Sequence, residues 1–191
     1  ENNGQAIHPT PMVGMVGLIK NIDRVIPSFV QHPGDKVYLV GQTRDDYAGS
    51  ELQKMMTGDI SGIVKSFDLH HVHQYMQRLL TTMENGLVSS AHDLSEGGLG
   101  VALAETVFKT DLGLKIDLAD QPATRLFSET PGRFIVTVAP EKATEFEQVL
   151  GKDAHLIGEV TNSHWLMVKL ANGKLNESVA KLQKTWEEAI P

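Results

Sequence analysis

Apolar residues along the chain follow two rhythms. Short apolar, largely β-branched runs, VYLVG (37–41), LVSSA (87–91), LKIDL (114–118), RFIVTV (133–138), HLIGEV (155–160) and WLMVKL (165–170), read as strands. Between them the spacing turns helical. Leu69, Val72, Met76, Leu79, Leu80 and Met83 fall on one face of a predicted amphipathic helix, with Asp68 as N-cap and Gly86 closing it. A short helix is predicted from Asp45 to Met56, with Gly49 unfavourable inside it. LGVALAETVF (99–108) is helical and almost wholly apolar, which predicts burial. Pro140 suits the first turn of a helix reaching Leu150, with Phe146, Val149 and Leu150 inward. Asn172-Gly173 signals a tight turn, and a last helix is predicted from about Asn176 with Val179, Leu182, Trp186 and Ile190 inward.

Strands mixed with helices, including strand–helix–strand over 133–160, predict an α/β or α+β layered sandwich on a mixed sheet. The opening stretch, ENNGQAIHPTPMVGMVGLI (1–19), passes from polar to apolar, and Pro9 and Pro11 impose an extended path. It reads as a linker or returning strand of a preceding domain, dividing the chain into an arm (1–20) and one domain (21–191).

Composition narrows the function classes. A chain of 191 residues with 41% hydrophobic and 21% charged residues can bury a core without staples. Having no cysteine, it carries no disulfide, thiolate metal site or cysteine nucleophile, and it suits a reducing, cytoplasmic setting. A formal charge of −7 disfavours a nucleic-acid surface. No apolar run approaches the roughly 20 residues of a membrane span. The sequence opens at Glu1, which suggests a piece of a longer protein.

Three polar clusters could carry chemistry. In SSAHDLSEGGLG (89–100) a strand end meets a helix start. His92, Ser95, Gly97 and Gly98 could meet a phosphate or serve acid–base chemistry, and Asp93 and Glu96 could hold Mg²⁺ through oxygen. The plainer reading, favoured on spacing alone, is a capped turn with Ser95 or Asp93 as cap and His92 packing. In FSETPGRF (127–134), Ser128, Glu129, Thr130 and Arg133 flank a turn pinned by Pro131 and Gly132. Arg133 could hold phosphate or carboxylate in a bidentate fork, while a surface turn with a Glu129–Arg133 ion pair is the plainer reading. In YAGSEL (47–52), Gly49 and Ser50 could offer backbone N–H groups to an anion, although a lone Gly-Ser says little. Neither a P-loop nor G-x-G-x-x-G is present. His70, His71 and His73 lack the spacing of a metal site and read as a partly solvated helix face.

Taken in order, HPTPMVGMVGL (8–18), GSELQ (49–53), SAHDLSEGGLGVALAE (90–105), LFSETPGRFIVTV (126–138), IGEVT (157–161) and the terminal WEEAIP (186–191) resemble one family. It is the formylglycinamide ribonucleotide amidotransferase (phosphoribosylformylglycinamidine synthase) synthetases, in the aminoimidazole ribonucleotide synthetase-like superfamily. The resemblance spans nearly the whole chain and rests above all on the HDLSEGG and FSETPGR pair. It implies a fold like the C-terminal domain of aminoimidazole ribonucleotide synthetase. It also implies a parent enzyme of purine biosynthesis that uses ATP and Mg²⁺ to join glutamine-derived ammonia to formylglycinamide ribonucleotide. Such synthetases are internally duplicated, and this chain resembles the second member of the second pair of domains. By that pseudo-symmetry Asp93 matches a metal-ligating aspartate, and Ser128, Glu129 and Thr130 match a substrate-contacting turn, both on the auxiliary side. The catalytic histidine and lysine and the main ATP ligands are expected in other domains, with Glu1-Asn2 resembling the stub after a nucleotide-contacting stretch. The chain alone is therefore expected to be inactive. The implied partners are the preceding domains, a glutaminase subunit and a small accessory subunit, with self-association through faces those partners leave bare. A non-catalytic scaffold, or a separate kinase-like enzyme of the superfamily, remains the alternative.

Overall fold

The computed structural model describes residue 4, residues 11–19 and residues 21–189. The elements in order are β1 (Lys36–Val40), α1 (Glu51–Thr57), α2 (Leu69–Glu84), β2 (Ser90–Asp93), α3 (Gly98–Glu105), β3 (Gly113–Leu118), β4 (Phe134–Val138), α4 (Ala143–Leu150), β5 (Ala154–Thr161), β6 (Trp165–Leu170), β7 (Gly173–Ser178) and α5 (Val179–Glu187). The seven strands among the described residues join one sheet in the order β2-β4-β1-β5-β3-β6-β7. Only β3 and β6 run parallel, so the sheet is mixed and the fold is α+β, as the sequence predicts.

Two cores lie on opposite faces of the sheet, and β1 divides its side chains between them. Tyr38 and Val40 join Val136 and Val138 of β4 beneath α2 and α4, with Tyr75, Leu79, Phe146 and Leu150 above them. Val37 and Leu39 point the other way, into a larger core with Ile116, Ile157, Leu166 and Leu103 of α3. Buried on both faces, β1 needs the unbroken apolar run VYLV rather than an alternating one.

Several elements depart from their predicted bounds. The strand read at 87–91 forms instead at Ser90–Asp93. Leu87 and Val88 are buried as the connection out of α2. That helix ends at Asn85 with Gly86 left-handed, while Gly86 N–H donates to Met83 O and Leu87 N–H to Thr82 O, a Schellman ending. The inner face of α2 is rotated from the predicted one. Tyr75, Leu79 and Thr82 are buried, whereas Leu69 is 70%, Met76 43% and Leu80 48% exposed. Tyr75 and Thr82 can be buried because their hydroxyls are satisfied by Gly132 O (2.5 Å) and Leu79 O (2.7 Å). The short helix starts at Glu51 rather than Asp45, because Ser50 caps it. Residues 173–178, read as turn and helix start, form the edge strand β7, and Ser178 caps α5. In α5 Val179 is buried and Trp186 is half exposed, while Ile190 lies outside the described residues. Of the predicted arm, residues 1–3, 5–10 and 20, including Glu1-Asn2 and His8–Thr10, also lie outside them. Within the described part, Met12, Val13, Met15, Val16 and Leu18 are exposed. Among the described residues no helix is long and apolar enough to cross a membrane.

Candidate functional site

Strand directions gather the polar clusters on one rim. Because β4 is antiparallel to both β1 and β2, and β5 to both β1 and β3, the C-terminal ends of β1, β2 and β3 share the edge where β4 and β5 begin. Segments 41–50, 94–97 and 119–133 all leave or enter there, which brings the three polar clusters side by side.

HDLSEGG and FSETPGR form one packed unit. Gly97 and Gly98 have φ of 76° and 61°, and a Cβ on Gly98 would stand 2.2 Å from the Ser128 carbonyl oxygen. Only glycine lets the 127–133 turn sit so close to the start of α3. No side chain caps α3 from within; Ser95 contributes its carbonyl to Gly98 N–H (3.1 Å) rather than its hydroxyl. Glu129 reaches over instead, one carboxylate oxygen accepting both Gly97 N–H and Glu51 N–H, each at 2.9 Å. All three polar clusters therefore converge on Glu129, through backbone N–H groups that favour an anion.

The hydroxyls flanking Glu129 are turned inward. Ser128 is 0% and Thr130 5% exposed. Ser128 Oγ donates to Arg44 O (2.5 Å), and Thr130 Oγ1 accepts Arg44 N–H (3.0 Å) and donates to Asp46 Oδ2 (2.7 Å). Together they clamp segment 44–46, which follows β1. Arg133 corrects both sequence readings: it is neither an exposed anion fork nor paired with Glu129 in a surface ion pair. Only 1% exposed, it donates to Thr130 O (2.9 Å), Thr43 Oγ1 (3.0 Å) and Ser128 O (2.5 Å). Burial pulls its pKa down to about 10, which leaves it charged at neutral pH. Ser50 is likewise buried, capping α1 through Gln53 N–H (3.2 Å), while Gly49 N–H meets Gln53 Oε1 (2.8 Å).

At the end of β2 the His92 ring is held by Asp93 O (2.6 Å) and lies 3.7 Å from Glu105. Asp93, Ser95 and Glu96 are exposed to solvent. Among the described residues no group of three or more His, Asp or Glu side chains could hold a metal ion, so Asp93 offers one carboxylate and no complete cage. His71 is a structural pin: its Nε2 lies 3.0 Å from the buried Asp153, which Arg78 also engages. Arg44, Asp46 and Thr43 were not singled out in the sequence, where the only signal for them is polar residues directly after a strand. A 470 Å³ pocket on the same rim, reaching Asp120, Gln121 and Arg125, was likewise unread.

A family described as AIR synthase related protein, C-terminal domain, matches residues 32–169. The chain belongs to that family. Its match encloses both glycine-rich and Glu129-bearing segments of the rim. Over all 191 residues the chain is 96% identical to phosphoribosylformylglycinamidine synthase subunit PurL of Limosilactobacillus reuteri (strain DSM 20016), covering 26% of that relative. Among solved structures it resembles Thermotoga maritima PurL complexed with FGAR, at TM-score 0.72 and 25% identity, over 84% of this chain and 30% of the other. It also resembles T. maritima PurL complexed with ATP, at TM-score 0.68 and 25% identity, over 84% of this chain and 27% of the other. The chain thus spans about a quarter of the length of the curated relatives it matches. This AIR synthase related domain keeps its glycine pair and its carboxylate-bearing turn in direct contact.

Proposed function

We propose that residues 21–191 form the C-terminal domain of an ATP-dependent C–N ligase of purine biosynthesis, and that residues 1–20 are an arm from the preceding domain. The whole enzyme converts formylglycinamide ribonucleotide and glutamine-derived ammonia to the amidine. This domain frames an auxiliary cleft and does not carry out the chemistry. The supporting observation is the single unit made by HDLSEGG and FSETPGR, with Glu129 at its centre, in a chain 96% identical to a PurL subunit. ATP and Mg²⁺ belong to the whole enzyme, and Asp93 would supply one carboxylate to a cation already carrying phosphate oxygens. The partners in this reading are the preceding domains, a glutaminase subunit and a small accessory subunit, in the cytoplasm. Isolated chains associate through the apolar faces that the missing domains leave bare.

A second reading, a scaffold that holds no ligand, is favoured by one specific observation. Ser128, Thr130 and Arg133 spend their polar groups on segment 43–46 and their own turn. Ligase assays on the full-length protein, with ammonia and with Asp93→Ala, test both readings. The ligase reading expects substrate-dependent ADP release from the full-length protein and none from the 191-residue chain. Substrate-dependent ADP release from the chain alone would overturn it. Unchanged turnover and nucleotide content in Asp93→Ala would leave the scaffold.

A further inference from the structure

The chain carries three Asn-Gly pairs, Asn3-Gly4, Asn85-Gly86 and Asn172-Gly173. An asparagine side-chain amide before glycine is open to attack by the glycine nitrogen, because no Cβ hinders the approach. Asn3 lies outside the described residues, and the structure holds the other two pairs differently.

Asn85-Gly86 is locked. Gly86 N–H donates to Met83 O (3.0 Å) and Asn85 N–H to Thr81 O (3.0 Å), and the buried Leu87 and Val88 follow at once. Asn172-Gly173, by contrast, is the exposed tip of the hairpin between β6 and β7. Gly173 pairs with Leu170 in the last rung of that ladder, and β7 is an edge strand, so opening the rung disturbs no third strand. Nothing lies within 4 Å of where a Gly173 Cβ would stand. The turn does not demand the asparagine either. Among the described residues only Lys109 and His164 are non-glycine residues with positive φ, so Asn172 is not there to supply left-handed backbone.

We propose that Asn172 is a modification site, deamidated by its own chain. The deprotonated Gly173 nitrogen attacks Asn172 Cγ. The N–Cγ bond forms, the Cγ–Nδ2 bond breaks, and Nδ2 leaves with the proton as ammonia. Water then opens the cyclic imide. Opening at Cγ leaves aspartate in a normal backbone. Opening at the main-chain carbonyl carbon leaves isoaspartate, whose backbone is longer by one methylene. Water is the sole co-reactant, and the exposed tip admits it. The isoaspartyl form has a structural consequence. Ala171 N–H donates to Gln121 O (3.0 Å), Gln121 Oε1 accepts from Arg125 (2.8 Å), and Arg125 reaches Asp45 (3.2 Å). A lengthened turn withdraws Ala171 from Gln121 and detaches the hairpin from this path to the rim.

Peptide mapping by mass spectrometry, on the 191-residue chain incubated at mildly alkaline pH, tests the proposal. The peptide with Asn172 should exchange its amide for a carboxyl group and split into aspartyl and isoaspartyl forms, while the Asn85 peptide stays intact. In urea the two rates should converge, because only the fold distinguishes the pairs. Asn172→Gln should abolish the change at this position. Hydrogen exchange at the Ala171 amide should stay slow in Asn172→Asp and become fast in the isoaspartyl chain. Conversion of Asn85 as fast as Asn172 in the folded chain, a rate difference that persists in urea, or an Ala171 amide equally protected in the isoaspartyl chain would each overturn the assignment.

Discussion

Replacing Arg133 with methionine separates a structural arginine from a ligand-binding one. Methionine keeps much of the side-chain length but removes every donor. The Ser128 and Thr130 carbonyls and the Thr43 hydroxyl then lose their guanidinium partner. Three hydrogen bonds from a charged group contribute about 1.5–3 kcal/mol each, or about 4.5–9 kcal/mol together. Against this stands the cost of burying the charge. A fall from 12.5 to about 10 corresponds to about 3.4 kcal/mol, at about 1.36 kcal/mol per pKa unit. The difference, about 1–6 kcal/mol, centres near 3 kcal/mol, or roughly 6–12 °C in melting temperature for a domain of this size. Arg133→Lys should recover only part of it, because one ammonium cannot span the three acceptors. Thermal and urea denaturation of the chain without any ligand give the measurement. A melting temperature unchanged in Arg133→Met, together with lost ligand binding in the full-length protein, would refute the structural assignment and restore the anion-fork reading.

Three other changes test the packing and the caps. Leu79→Ala should cost about 2–5 kcal/mol in urea denaturation, while Leu80→Ala on the exposed side of α2 should stay within about 0.5 kcal/mol; equal costs would mean a different helix register. Gly98→Ala should cost about 3 kcal/mol or more by the same assay, since the new methyl meets the Ser128 carbonyl at a left-handed backbone position. Asp68 accepts His71 N–H, and this holds its pKa below the ordinary 3.8. Its contribution is therefore complete above that value and lost as pH falls through the lower folded value. Asp68→Asn should keep the cap at neutral pH and flatten that acid limb of stability, and an unaltered acid profile would count against the cap.

Strands with continuous apolar runs were legible in the sequence because β1 and β4 are covered on both faces. The β7 edge was not, since Leu175 is its one apolar side chain turned toward the core. The face of α2 was misread because Tyr75 and Thr82 are amphipathic, and their burial depends on acceptors that spacing cannot reveal. At the rim, both motifs stood out by composition, but the roles of their residues did not. Glu129 meets an amide 78 residues earlier in the chain, and Arg133 a hydroxyl 90 residues earlier. Whether a polar side chain faces solvent or spans such a separation is decided by topology. The rim pocket was hidden for the same reason, being assembled from separated segments.

The strand order also bears on how the chain can fold while it is being made. None of β1, β2 and β3, the first three strands among the described residues, neighbours another in the finished sheet; β4 joins β2 to β1, and β5 joins β1 to β3. From Val40 to its partner Phe134 the ribosome must add 134 − 40 = 94 residues. At about 5–20 residues per second this takes roughly 5–19 s. For that interval VYLV is an apolar strand with both edges unpaired, the kind of segment that aggregates or recruits a chaperone. A nascent chain halted before Phe134 should hold helices but no native sheet, and assembly should begin only once the two linking strands have emerged.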